Sequence, residues 1–176
     1  MTKSAPIEVI EKILSNGEPN AVFAALLPVL GEMLQCDRCF LYLRCPYTSV
    51  GKVVHCWRRS SQYPDIAVTE WTKEPESLTL EDPMFAAAVR AEESLFIEDV
   101  ETANPDVVNL AFEQKHFGHR ALIHAHLRSD GLLWGILQPC VFDRPIVWTD
   151  TDRSTIATVT EKMTPIAVSY VKAANI

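Results

Sequence analysis

The sequence predicts an α+β fold: an antiparallel sheet with helices covering one of its faces. Three observations carry this. Strand-like runs come in adjacent pairs joined by short turns, an arrangement that makes hairpins and antiparallel ladders. The segments at both ends of the chain have helical apolar spacing. A single Asp-Gly turn, at 130–131, separates two runs whose alternating residues sort into an apolar set and a mixed set.

Along the chain, Ile7, Ile10, Ile13 and Leu14 give residues 6–14 a helical period. Asn20 is the expected N-cap of a second helix over 21–34, with Gly31 weakening its end. Residues 39–44 and 51–58 are aromatic- and β-branched-rich strands across a turn at 46–51. The stretch 60–80, broken by Pro64 and Pro75, reads as a long irregular connection, and such connections inside compact domains are usually functional. Asp82-Pro83 opens a helix to about Arg90, with Asp at the cap and Pro at the first helical position. Residues 95–97 form a short strand. Asn104-Pro105 repeats the start signal for a helix to Phe117, closed by Gly118. Strands over 120–127 and 132–141 follow, joined by a three-residue loop. Thr149 and Asp152 form a capping box for a helix to about Ala173, with a stripe of Ile156, Val159, Met163, Ile166, Ala167 and Tyr170.

The 176 residues suit one domain, taken as 1–176 with its core at about 20–173 and an N-terminal helix or arm over 1–19. Net charge is −7, which argues against a general nucleic-acid surface. The longest apolar stretch, 21–30, is too short for a membrane span and holds Pro28; no secretory leader is evident. A cytoplasmic protein with reduced cysteines is expected.

With a three-residue loop, Arg128 faces Leu132. One face of the hairpin then carries Ala121, Ile123, Ala125 and Leu127 with Leu133, Gly135, Leu137 and Pro139, and belongs under helices. The other carries Arg120, Leu122, His124 and His126 with Trp134, Ile136, Gln138 and Cys140. Large apolar groups mixed with a few polar ones suit a ligand pocket, and a solvent-facing sheet side is the alternative.

Cys36-Asp37-Arg38-Cys39-Phe40-Leu41-Tyr42-Leu43 resembles the first-strand signature of GAF domains. Leu133-Trp134-Gly135-Ile136-Leu137 resembles the corresponding strand of phytochrome and cyanobacteriochrome GAF domains, and Phe117 to Ala121, the Asp-Gly hairpin and Arg144…Trp148 fit the same order. The resemblance spans roughly 20–173. It implies a six-stranded antiparallel sheet, terminal helices on one face and a ligand pocket on the other. The chain also departs from the bilin binders. Their Cys-His pair falls on Asn109-Leu110, no cysteine precedes Cys36, and the strand histidine near their chromophore falls on Cys140. Covalent bilin is therefore not expected; no cofactor is called for, with non-covalent bilin or another small ligand left open. The candidate pocket residues are Arg120, Leu122, His124, His126, Trp134, Gln138, Cys140 and Asn109.

Cys36 and Cys39 lack the second ligand pair of a zinc site, and His124 and His126 lack a third ligand, so packing and hydrogen bonding are expected instead. Cys140 across the ladder from Arg120 is a candidate redox thiol; a buried, inert thiol is the alternative. Single-domain GAF proteins that reduce methionine sulfoxide place catalytic cysteines elsewhere, and no hydrolase or phosphate-loop pattern occurs. The expectation is a non-enzymatic sensory or regulatory domain that binds a small molecule. A protein-interaction module with a vestigial pocket is the alternative, and the apolar stripes of the terminal helices suggest a homodimer.

Overall fold

The computed structural model describes residues 5–176. Its elements are α1 (Ala5–Leu14), α2 (Pro19–Met33), β1 (Arg38–Cys45), β2 (Val50–Arg58), β3 (Thr72–Lys73), α3 (Leu78–Glu81), α4 (Pro83–Val89), β4 (Leu95–Ile97), α5 (Leu110–His116), β5 (Ala121–Ser129), β6 (Leu132–Val141) and α6 (Asp150–Ala174). The strands form one six-stranded antiparallel sheet in the order β3-β2-β1-β6-β5-β4.

Helices α1, α2 and α6 cover one face. Their apolar stripes, including Ile10, Phe23, Leu26, Leu30, Ile156, Val159, Met163 and Ala167, meet Leu41, Leu43, Ile123, Ala125, Leu127 and Leu137 in one buried cluster. The stripes of α1 and α6 are thus used within the chain. On the opposite face lie α4 and two smaller clusters, one around Phe40, Met84, Leu122 and Cys140, the other around Phe85, Leu133 and Ile136.

Four local expectations are corrected. Glu18, not Asn20, caps α2, its carboxylate accepting from the N–H groups of Asn20 and Ala21. The stretch 60–80 is not wholly irregular: Thr72 and Lys73 pair with Gly51 and Val50, supplying the sixth strand. The helix expected from Pro105 starts only at Leu110. Asn104 Oδ1 accepts from Asp106 N at 2.9 Å, an Asx turn that competes with helix, and Asn109 is the true cap, accepting from Phe112 N at 3.2 Å.

The fourth correction concerns the central hairpin. Ser129 pairs with Leu132, so the loop has two residues, and Asp130 and Gly131 both have positive φ (53° and 73°) as a type I′ turn requires. A bulge follows: Leu127 faces Gly135 while Arg128 faces Leu133, leaving Trp134 as the extra residue. Between Ala121 and Leu127 the faces are those expected, because the ladder moves by an even number of residues. At the bulge the sides exchange. Trp134 turns to the helical face, against Tyr47 and Lys172, and Leu133 takes the other side. Gly135 is required where it stands: a Cβ there would lie 2.7 Å from Tyr42 O and 2.6 Å from Leu43 Cδ2.

Candidate functional site

On the sheet face away from the terminal helices, a cavity of about 350 Å³ opens between the strands and the segments that cross over them. Phe40 and Tyr42 of β1, Ile136 and Gln138 of β6 and His124 of β5 form its floor. These residues share a face because β1 pairs with β6 so that Phe40 meets Gln138 and Tyr42 meets Ile136. Ile66, Val68 and Glu74 wall one side; Leu78, Asp82, Met84 and Phe85 another; Phe112, Glu113 and Phe117 the third. The lining is mostly apolar with a few polar groups, as expected of a small-molecule site.

Its polar groups are oriented by buried partners. His126 Nδ1 lies 2.8 Å from the Glu92 carbonyl, which can only accept, so the proton is on Nδ1. His126 Nε2, 2.8 Å from His124 Nδ1, is then the acceptor, and His124 also carries its proton on Nδ1. Both rings are neutral, because burial lowers their pKa values, that of His124 well below the ordinary range. The remaining His124 nitrogen, Nε2, is an acceptor with no partner among the described residues, on a side chain lining the cavity.

A second chain runs behind the floor. Arg38, 1% exposed, donates from Nη1 to Pro64 O (2.9 Å) and from Nη2 to His119 Nε2 (2.8 Å). His119 Nδ1 lies 3.2 Å from Glu113 Oε1, and the Gln138 amide is 3.4 Å from the same nitrogen. Burial opposes a charge on this ring, while the Cys140 sulfur and the Glu113 carboxylate favour one and carry its pKa up to about 9, a pull that ignores what faces the other ring nitrogen. The position of Arg38 decides: a guanidinium only donates, so Nε2 must accept, and a neutral His119 bridges a buried cation to a buried anion. Guanidinium packing over Phe40 (5.4 Å) and Phe142 (5.0 Å) completes the setting.

Two further acids reach the cavity. Glu74 is bound by Arg44 (Nε–Oε1, 2.7 Å). Asp82 caps α4, accepting from Met84 N at 3.0 Å. Burial, with a smaller contribution from Glu113, pushes its pKa up to about 6 against the pull of two backbone N–H groups. Burial likewise raises the Tyr42 phenol above its usual range, with Glu74 adding to the effect.

Of the eight residues proposed from sequence, His124 and Gln138 line the cavity. His126 stands behind His124. Leu122 and Cys140 are on the same face but fully buried under Met84, Ile97, Val100 and Val108. Trp134 is on the opposite face. Arg120, immediately before β5, turns outward to Asp99 (2.7 and 3.0 Å) and Glu101 (3.3 Å). The premise of a redox Cys140 beside Arg120 therefore fails, and the Cys140 Sγ instead lies 3.4 Å from Arg38 O. Asn109 is exposed, bound to Phe112 N and Glu81 O as a cap. Sequence reasoning missed Tyr42, Asp82 and Glu113. The alternation of β1 held the signal for Tyr42, once β1 is known to neighbour β6.

The family model described as GAF domain matches residues 18–163. The chain belongs to the GAF domain family. GAF domains are commonly sensory or regulatory. No curated protein matches the sequence. Among solved structures, this GAF domain is similar to that of an Acinetobacter phosphoenolpyruvate-protein phosphotransferase (TM-score 0.70, 10% identity, 100% of both chains covered). The phycoerythrobilin-bound GAF domain of a cyanobacterial phytochrome gives a TM-score of 0.70 at 14% identity, covering 98% of this chain and 100% of that one. The GAF domain of the cyanobacteriochrome TePixJ gives 0.65 at 16% identity, covering 88% and 91%. At such identities the likeness is one of fold. No helix among the described residues is long and apolar enough to cross a membrane.

Proposed function

We propose that this GAF domain is a sensory or regulatory unit that takes a small, largely apolar molecule into the cavity over β1, β6 and β5. The observation that carries the reading is the cavity itself, about 350 Å³ with an oriented, unpartnered His124 acceptor on its floor. His124 Nε2 is open to the cavity rather than sealed in the core, so the N–H of a bound ligand or an ordered water can reach it. Occupancy would be transmitted through β5 and β6, whose other face packs against α6.

A covalently held bilin is not part of this proposal, because no cysteine is among the described residues that line the cavity. Non-covalent bilin is tested directly: added biliverdin whose absorption spectrum is unchanged by the protein removes it from the ligand list. Pairing of two copies would rely on the outer faces of α1 and α6, where Val9 is exposed, since their stripes are buried in the chain's own core.

Native mass spectrometry of the purified chain tests the reading. The expected result is a retained small-molecule mass that disappears on denaturation and in a Val53→Trp variant, which fills the cavity from β2. A retained mass unaffected by Val53→Trp, or a chain that retains nothing and binds no small aromatic probe, would leave the protein-interaction reading in its place.

A further inference from the structure

The polar lining of the cavity is one-sided. His124 Nε2 is held as an acceptor by a chain of fixed direction: Glu92 O accepts from His126, and His126 accepts from His124 (2.8 Å each). His124 is 4% exposed and His126 2%, so the hydrogen bond between the two rings is shielded from bulk water. The acids at the walls, Asp82, Glu74 and Glu113, add further acceptors.

The cations stand away from His124. Lys52 and Lys73 line the cavity at its β2–β3 side, where Lys52 Nζ donates to Thr69 O (3.1 Å) and lies over Trp71, and Lys73 Nζ donates to Thr48 O (2.6 Å). Arg44 is occupied by Glu74 and by Leu133 O. An anion placed against His124 would meet a lone pair and lose its hydration, with Lys52 on β2 and Lys73 on β3 standing three and four strands away from β5 across the sheet.

We propose that the cavity selects neutral or cationic ligands that donate N–H hydrogen bonds, such as amidines, amines or ring N–H groups on an aromatic frame, and rejects phosphates and carboxylates, with His124 as the acceptor that sets this preference. The inference rests on the cavity being a ligand site. It fixes the class of ligand: a flat apolar body with at least one N–H directed at β5.

Three probes of similar size separate the inference from the reading beneath it: benzamidine (cationic donor), benzoate (anionic acceptor) and toluene (neither), titrated into the full chain and followed by NMR of cavity residues. Toluene and benzamidine are expected to bind, benzamidine at least about tenfold more tightly than benzoate, the worth of one charge-assisted hydrogen bond. His124→Phe is expected to weaken benzamidine about tenfold and leave toluene within about twofold. Benzoate binding as well as benzamidine overturns the selectivity while leaving the cavity as a site. Binding by none of the three overturns the site itself. Benzamidine binding that His124→Phe leaves unchanged overturns the role of His124. A readout that needs no variant is the histidine tautomer in a long-range ¹⁵N–¹H spectrum: both His124 and His126 are expected with the proton on Nδ1, and a proton on His124 Nε2 in the unliganded chain refutes the inference.

Discussion

Asp82 offers the sharpest test of the cavity's electrostatics. Its carboxyl caps α4 yet sits buried beside the cavity, and its pKa is pushed from 3.8 to about 6. A carboxyl pKa that is higher folded than unfolded means that the native state binds more protons between those values, so stability falls as pH rises through that window. Below about pH 4 both states are protonated and the penalty vanishes; above about pH 6 it is fully present. The gap of about two pH units corresponds to about 3 kcal/mol at pH 8, an upper figure that local relaxation reduces. Asp82→Asn keeps an N-cap side chain of nearly equal quality and cannot ionise. The variant is therefore expected to be more stable than the parent by about 1–3 kcal/mol at pH 8 and equal to it within about 0.5 kcal/mol at pH 4. Urea unfolding at both pH values, compared as the difference between variant and parent, measures this and cancels the other titrating groups. A variant that is less stable at pH 8, or a difference that does not change with pH, would refute the reasoning.

Other substitutions probe other parts of the structure. Gly135→Ala should destabilise by about 3 kcal/mol in urea unfolding, because the new methyl meets the Tyr42 carbonyl as well as a leucine side chain; a cost below about 1 kcal/mol would show that the β1–β6 approach is looser than the structure has it. Glu113→Gln leaves the buried Arg38 charge without its counter-ion and should cost about 3–5 kcal/mol, with Arg38→Met in the same chain restoring part of it. Additive single and double effects in that cycle would mean His119 does not couple the two charges. Thr149→Ala removes one half of the reciprocal cap of α6 (Asp152 N to Thr149 Oγ1, 3.1 Å) and should cost about 1 kcal/mol, measured by the same unfolding.

Much of the architecture was readable from local chemistry. The reciprocal cap at Thr149 and Asp152, the Asp82-Pro83 helix start and the short strand at Leu95–Ile97 each depend on groups a few residues apart, and each stands as expected. The two faces of the central hairpin followed from alternation, since side chains reverse at every residue whichever even register is chosen. The sixth strand was not legible, because two residues at a sheet edge have no period of their own and exist only through pairing with β2.

His124 and Gln138 were legible as cavity residues for the same reason that the faces were: alternation alone places them. Trp134 was not, because a bulge turns on how tightly two strands approach at Gly135, and no pattern in one strand records that. Arg120 and Asn109 found partners, Asp99 and Glu81, that are distant in sequence and became near only on folding. The sequence by itself determined α1, α2, α4 and α6, the two faces of the central hairpin between Ala121 and Leu127, and the presence of a mixed polar and apolar surface, all properties of neighbours along the chain. Tertiary structure alone decided that this surface would be a cavity with an acceptor floor: the direction of the His124–His126–Glu92 chain and the tethering of Lys52 and Lys73 to Thr69 O and Thr48 O depend on contacts between segments that only the closed fold brings together.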